Sequence, residues 1–169
     1  MKNKILKEMK LSLSFLFILF LSLSLVSCSS EPEIPTNEEA KAAIMEKINL
    51  ANDRWSSGDP TGFLEVVAED VIWMDDLGAM IPISGKENLV PYLEGFKGVI
   101  PKHNKEIYNF IFQYYGDIVI VNYRYQGTMD GVKADPWKIT AVFKYADGDW
   151  VSVHENWSEV KPPPQAPSE

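Results

Sequence analysis

The chain has 169 residues, which is enough for one ordinary globular domain. Its 24 Asp and Glu outnumber its 16 Lys and Arg, giving a net charge of −8. This acidity argues against nucleic acid as a partner, because phosphate would be repelled. Apolar residues make up 46% of the chain and aromatic residues 12%, so the chain can bury a core and is not disordered overall.

The first 27 residues differ in composition from the rest. Several lysines precede Leu11 to Val26, a segment built only of Leu, Phe, Ile, Val and Ser. A positively charged start followed by a short apolar segment is typical of a secretory signal. A retained transmembrane helix is the alternative, but the segment is shorter than the roughly 20 apolar residues that a bilayer requires.

Leu25-Val26-Ser27-Cys28 resembles the bacterial lipobox, in which the cysteine is acylated and becomes the new N-terminus. Cys28 is the only cysteine, so no intramolecular disulfide can form. We therefore expect a lipoprotein signal peptide at 1–27 and lipidation at Cys28, which would place the protein in the bacterial cell envelope. Its acyl chains would insert into a bilayer and hold the protein in the periplasm or at the outer membrane.

The remaining chain divides into a tether, a domain and a tail. Residues 28–37 contain Pro32 and Pro35 and no apolar periodicity, which predicts an extended tether. Residues 161–169 contain four prolines and are expected to be disordered. The folded domain is therefore predicted to span residues 38–160.

The domain begins with helical patterns. Apolar residues at positions 44, 48, 51 and 55 predict an amphipathic helix that ends at Ser56-Ser57-Gly58. Asp59-Pro60 predicts the cap and first residue of a short second helix that buries Phe63, Val66 and Val67. A third helix is predicted from a cap at Ser84 to Phe96, although Pro91 lies inside it.

Strand patterns accompany and then replace these helices. Val71 to Met74 predicts a first strand, with a short partner at Ile81 to Ile83. After Pro101, period-two alternation predicts four long antiparallel strands; in the first, Ile107, Asn109 and Ile111 are expected to oppose Tyr108, Phe110 and Phe112. On the last strand one face is expected to carry Trp150, Ser152, His154, Asn156 and Ser158. Helices followed by hairpins indicate an α+β domain, whose long sheet must twist and leave a concave face.

The order and spacing of several short motifs over residues 40–159 resemble the nuclear transport factor 2-like (NTF2-like) superfamily, in its SnoaL-like branch. The motifs are Trp55-Ser-Ser-Gly58-Asp59, Ala68-Glu69-Asp70-Val71, Ser84-Gly85, and Thr140-x-Val142 leading to Asp147-Gly148-x-Trp150-x-x-Val153-His154-x-x-x-Ser158. The last segment also resembles the association domain of calcium/calmodulin-dependent kinase II. The resemblance implies a curved antiparallel sheet and three N-terminal helices forming a cone around a pocket. Such pockets serve isomerases, dehydratases, cyclases, epoxide hydrolases and binding modules, so the fold does not give the function.

Within this resemblance, Asp75 is the candidate catalytic residue. Asp75-Asp76 lies near the general base of the family's steroid isomerases; counting from Gly58-Asp59 selects Asp75, and counting from Ser84-Gly85 selects Asp76. Those isomerases carry an oxyanion-binding tyrosine where this chain has Ala51, so the donor for a developing enolate is missing. A solvated turn at the strand end is the alternative role for Asp75.

The expected ligand-binding residues are mostly aromatic: Trp55, Trp73, Tyr92, Phe96, Tyr123, Trp137, His154 and Asn156. His154 and Asn156 could together orient a carboxylate or carbonyl group, although His154 could instead be bonded within a packed core. His103 lies in a polar run and is expected to be solvated. The sequence shows no metal-ligand spacing, no phosphate loop and no nucleophile motif, so no metal or cofactor is expected.

These observations favour a membrane-anchored SnoaL-like domain that binds a small apolar or weakly acidic ligand in its pocket. We also expect a homodimer formed through the outer face of the sheet. Two alternatives remain open: an enzyme of the isomerase or hydrolase type with Asp75 as general base, and a structural, protein-interacting lipoprotein without a ligand.

The lipobox leads to a direct test of anchoring. Cys28→Ser removes the sulfur that would be acylated, so the variant should move from the membrane fraction to the soluble fraction after cell lysis and ultracentrifugation. A conservative Ser29→Ala variant serves as the control and should stay with the membranes. Retention of the Cys28→Ser chain on membranes after a high-salt wash would contradict the lipidation site.

Overall fold

The structure is a computed structural model that describes residues 33–79 and 81–161. The predicted signal peptide, Cys28, most of the predicted tether and residues 162–169 lie outside the described residues. The described residues from Ile34 to Lys161 form one compact unit. In the described part of the chain, no helix is long and apolar enough to cross a membrane.

The first helix, α1, spans Asn37–Ser56 and begins with a capping box. The backbone N–H of Thr36 donates to Glu39 Oε2 at 2.9 Å, and the N–H of Glu39 donates to Thr36 Oγ1 at 3.4 Å. The predicted end at Ser56 is confirmed, and the start lies one residue before the predicted boundary. The buried side of α1 carries Ala40, Ile44, Ile48, Ala51 and Asn52.

The second predicted helix is a 3₁₀ helix, Pro60–Glu65, rather than an α-helix. Its cap is Asp59, as predicted, and Asp59 Oδ1 accepts from the backbone N–H of Thr61 at 3.0 Å. The strand β1 (Val67–Asp75) begins only two residues later, so Val67 belongs to the sheet and not to the helix. This early strand start leaves room for a single short helical segment.

A short strand, β2 (Ile83–Ser84), pairs antiparallel with β1 and leads into α2 (Lys86–Glu94). The cap of α2 is Gly85 and not Ser84; Gly85 has φ 85°, a conformation that glycine adopts without a steric cost. Pro91 lies inside α2 and the helix continues to Glu94. The buried residues of α2 are Leu89 and Leu93.

Five further strands complete a seven-stranded curved sheet: β3 (Asn104–Tyr115), β4 (Ile118–Met129), β5 (Val132–Lys133), β6 (Trp137–Ala146) and β7 (Asp149–Glu159). The order is β2-β1-β7-β6-β4-β3, with β5 paired to β4. The predicted hairpins β3–β4 and β6–β7 are confirmed, and β1 runs parallel to β7. The α+β class and the curved sheet predicted from the sequence are therefore confirmed.

A bulge in β3 breaks the predicted alternation. The register with β4 shifts between Tyr108 and Ile111, and Asn109 has φ 56°. Ile107 pairs with the buried Tyr125, and the ring of Phe110 stacks on the ring of Tyr123 at 5.4 Å. Ile107 and Phe110 therefore share the inner face, contrary to the prediction that they oppose each other.

A second bulge, at Val153 in β7, overturns the prediction of one shared face. Phe143 pairs with Ser152, but the preceding residue Val142 pairs with His154, so Val153 is the extra residue. Trp150 and Ser152 consequently face the core, whereas His154, Asn156 and Ser158 lie on the outer face of the sheet. The inner face beyond the bulge carries Glu155 and Trp157.

Glu155 is a buried carboxyl group near Tyr123, with 3% of its surface exposed. Its Oε1 accepts from Ser152 Oγ at 2.8 Å, and its Oε2 has no hydrogen-bond partner among the described residues. Burial raises the pKa of Glu155 to about 7, and the hydrogen bond from Ser152 opposes this shift. The folded protein therefore holds a proton on Glu155 in mildly acidic solution.

This pKa predicts a dependence of stability on pH. An unperturbed glutamate titrates near 4.5, so between about pH 4.5 and 7 the unfolded chain has released a proton that the folded chain keeps. The free energy of unfolding should therefore fall as pH rises through this window and then level off. Glu155→Gln should remove this fall and be more stable than the parent at pH 8, by up to about 3 kcal/mol.

Urea unfolding at pH 5 and pH 8 measures the effect. Glu46→Gln, on the exposed side of α1, is the control and should follow the parent at both pH values. Parallel behaviour of the parent and Glu155→Gln across the pH range would contradict the raised pKa.

Candidate ligand-binding site

A cavity of about 120 Å³ lies between the inner face of the sheet and the helical segments. It receives side chains from α1, the 3₁₀ helix, β1, α2, β4, β6 and β7, so it depends on the fold as a whole. Eight of its eleven lining residues are aromatic. The lining consists of Trp55, Phe63, Trp73, Asp75, Leu77, Tyr92, Leu93, Phe96, Tyr125, Trp137 and Trp157.

The aromatic rings support one another around the cavity. Phe63 lies at the centre, with ring centroids 5.2 Å from Trp73, 5.3 Å from Trp157 and 5.9 Å from Trp55, all in edge-to-face contacts. The rings of Trp73 and Trp157 are nearly parallel, at 6.1 Å and 20°. Such contacts each add about 0.5–1.5 kcal/mol beyond area burial and fix the ring orientations.

Asp75 is the only charged residue of the lining, and it is 5% exposed. Its Oδ1 accepts from the backbone N–H groups of Leu77, Gly78 and Ala79 at 2.9, 2.9 and 3.1 Å. Its Oδ2 accepts from Trp73 Nε1 at 2.6 Å, and the hydroxyl of Tyr92 lies 2.7 and 2.8 Å from the two oxygens. Five donors thus meet one carboxylate.

These hydrogen bonds keep the carboxylate charged. Burial on its own would raise the pKa of Asp75, but the hydrogen bonds from Trp73, Tyr92 and the backbone of Ala79 and Gly78 outweigh it and hold the pKa below its usual value. Burial, together with the hydrogen bond to Asp75 and its charge, raises the pKa of Tyr92 well above its usual value, so its hydroxyl stays neutral and donates. A general base needs a carboxylate with a raised pKa and a free lone pair, and Asp75 has neither.

The neighbouring carboxylate, Asp76, points away from the cavity. It is exposed, and its Oδ2 accepts from the backbone N–H of Glu159 at 2.9 Å. Of the two aspartates between which the sequence could not choose, only Asp75 lines the cavity.

The predicted ligand-binding residues divide into two groups. Five line the cavity: Trp55, Trp73, Tyr92, Phe96 and Trp137. Tyr123 is buried in the core and does not belong to the lining, while His154 and Asn156 lie on the outer face because of the β7 bulge. The prediction that His154 and Asn156 line the pocket is therefore wrong.

Five lining residues are not among the predicted ligand-binding residues: Phe63, Leu77, Leu93, Tyr125 and Trp157. Tyr125 lies two residues after Tyr123 on β4, so strand alternation could have identified it. Trp157 could not be identified in this way, because the extra residue at Val153 reverses the alternation of β7.

His103, which was expected to be solvated, is half-buried. Its Nδ1 lies 2.8 Å from the carbonyl oxygen of Pro101, which can only accept, so Nδ1 carries the proton. In the neutral ring Nε2 then accepts from the hydroxyl of Tyr125. The pair lines an adjoining cavity of about 330 Å³, which shares Trp55, Tyr125 and Trp137 with the first.

In the described ranges, no group of three or more His, Cys, Asp or Glu side chains is arranged to hold a metal ion. The cavity lining itself contains a single carboxylate and no histidine.

Comparison with known proteins identifies the family. The model of the SnoaL-like domain matches residues 50–153, which include most of the residues that line the cavity. The chain belongs to the SnoaL-like domain family. None of the curated proteins matches it.

Solved structures show the same fold. A candidate ketosteroid isomerase from Parabacteroides distasonis is 26% identical, with a TM-score of 0.58, over 68% of this chain and 86% of that protein. An NTF2-like protein of unknown function from Pseudomonas putida is 18% identical, with a TM-score of 0.64, over 73% and 89%. A candidate calcium/calmodulin-dependent protein kinase II association domain from Xanthomonas campestris is 18% identical, with a TM-score of 0.57, over 75% and 89%.

The hydrogen bonds of Asp75 predict a large stability effect. Asp75→Asn places an amide N–H₂ against at least one of the donors, so it should lower the free energy of unfolding by about 2–4 kcal/mol at pH 7. The lowered pKa means that the carboxylate stabilises the fold above the usual aspartate value of 3.8. The difference between variant and parent should therefore shrink as pH falls below that value.

Chemical unfolding at pH 7 and pH 3 tests this expectation, with Asp76→Asn as the matched control for the loss of one charge. If the two variants lose similar stability at pH 7, Asp75 does not hold the site together.

Proposed function

We propose that this SnoaL-like domain binds a small, flat, largely apolar ligand in the cavity. The observation that carries the proposal is the lining itself, in which eight aromatic side chains surround the space and ten of the eleven residues are uncharged. Ligand sites of this kind combine an apolar wall with a few fixed polar groups. Because Asp75 is ionised, the weakly acidic ligand that the sequence left open is disfavoured by charge repulsion.

Binding accounts for the site better than proton transfer does. The likeness to a candidate ketosteroid isomerase favours an isomerase as the second function. That chemistry needs a base and an oxyanion donor, but the lone pairs of Asp75 are occupied and the hydroxyl of Tyr92 is directed at Asp75. Ala51, which stands where the family's steroid isomerases carry a tyrosine, is buried and does not line the cavity.

Membrane anchoring through Cys28 belongs to the same proposal. An apolar ligand partitions into a bilayer, so a domain tethered to the bilayer would meet it at a raised local concentration. Homodimerisation through the outer face of the sheet stays a prediction; the exposed Ile111 and Tyr115 on that face of β3 are its support.

Blocking the cavity mouth tests the proposal. Leu77 lines the cavity and is 50% exposed, so Leu77→Trp can fill space there without disturbing the core. The variant should bind the uncharged fluorescent probe N-phenyl-1-naphthylamine at least about tenfold more weakly than the parent, equivalent to about 1.4 kcal/mol.

Leu50→Trp is the matched control, since Leu50 is 44% exposed on α1 and does not line the cavity. It should bind the probe as the parent does, by fluorescence titration. Equal affinity of both variants, or no binding by the parent, would contradict a ligand site in this cavity.

A further inference from the structure

We infer that the ligand of this cavity carries a quaternary ammonium group, in which carbon substituents such as methyl groups replace every N–H. The inference rests on the proposed binding function and specifies the chemistry of the same site. It comes from the combination of a buried negative charge, aromatic walls and a carboxylate whose acceptor positions are already occupied.

The ionised carboxylate and the faces of aromatic rings both attract a cation. The face of an aromatic ring is electron-rich and attracts a cation within about 6 Å of its centre, most strongly for tryptophan. Four tryptophans, two tyrosines and two phenylalanines form the wall, with the ionised Asp75 beside them. No lysine or arginine of the described chain lines the cavity, so the negative charge has no cationic partner there.

Several polar groups of the wall that could bind an anion or a carbonyl oxygen are already engaged. Trp73 and Tyr92 both donate to Asp75. The hydroxyl of Tyr125 is paired with the ring of His103. The indole N–H of Trp157 is buried and has no partner among the described residues, so an acceptor atom of a ligand could bind there. An anion would be repelled by Asp75.

The hydrogen-bond acceptor positions of Asp75 are occupied, and this favours a quaternary over a primary ammonium group. A carboxylate offers about four lone-pair positions, and five donors already compete for them. A primary ammonium group would enter with three N–H donors and find no free acceptor on Asp75, which is costly in a buried site. A quaternary ammonium group has no N–H to satisfy, so it gains from the charge and the rings without this loss.

The charge of Asp75 is also fixed before any ligand arrives. Its hydrogen bonds to the turn at Leu77–Ala79 and to the side chain of Tyr92 keep it ionised in the empty protein. A bound cation therefore meets a preorganised counter-charge and need not draw it into position. If Asp75 served only to hold the turn and Tyr92, the rings alone would favour a charged ligand over a neutral one of the same shape, and Asp75→Asn would leave that preference unchanged.

A pair of ligands with equal shape separates these two roles of Asp75. Choline and 3,3-dimethylbutan-1-ol differ in that a positively charged nitrogen replaces a carbon. We expect the full chain, purified without detergent, to bind choline at least about tenfold more tightly than the neutral alcohol, as measured by the fluorescence of the cavity tryptophans.

Charge-removing variants assign the preference to one residue. Asp75→Asn should lose most of the preference for choline. Because the same substitution disturbs the hydrogen bonds that hold the site, the ratio of the two affinities in the variant, and not either affinity alone, is compared with the ratio in the parent. Asp76→Asn removes the same charge from the exposed neighbour and should keep the preference.

The outcomes distinguish the inference from the proposed function. Equal binding of choline and the alcohol, or tighter binding of the alcohol, overturns the inference and leaves apolar binding in place. Binding of N-phenyl-1-naphthylamine with no binding of choline does the same. Failure of all three probes to bind the parent overturns both, and a preference for choline that survives Asp75→Asn removes Asp75 from its role.

Discussion

The Asp75 carboxylate joins parts of the fold that are distant along the chain, and the cavity depends on this junction. Its oxygens take hydrogen bonds from the indole of Trp73 on its own strand, from the turn that follows it, and from Tyr92 on α2. In an apolar setting an ionised group persists only where such donors compensate for lost water. The same bonds that stabilise the charge therefore hold α2 against the end of β1 and fix two of the rings that face the cavity.

Two one-residue irregularities decide which side chains face the interior. The bulge at Asn109 brings Phe110 onto the inner face of β3, and the extra residue at Val153 brings Glu155 and Trp157 inward on β7. Trp157 then stacks beside Trp73 and contributes to the cavity wall. Glu155 is buried near Tyr123 and does not line the cavity, and its raised pKa makes the stability of the fold depend on pH.

Much of this architecture could be read from the sequence. The apolar spacing of α1 and the period-two alternation of β4 and β6 predicted these elements and their order, because local periodicity encodes them. Part of the cavity wall followed from the same periodicity, including Trp55, Trp73 and Trp137.

The role of Asp75 could not be inferred in this way, since its donors come from a loop, from a ring two residues earlier in the chain and from a helix residue 17 positions later. Bulges escape prediction for a related reason: nothing in the sequence around Val153 marks it as unpaired, and the ladder with β6 alone defines it.

The bulge in β7 also bears on how residue roles are transferred between members of this family. Because neighbouring residues of a strand point to opposite sides, one inserted residue exchanges a whole row of side chains between interior and solvent. A histidine and its neighbour at matching sequence positions can thus face a pocket in one relative and water in another. The chemical character of such a pocket can change in a single evolutionary step that replaces no side chain at all.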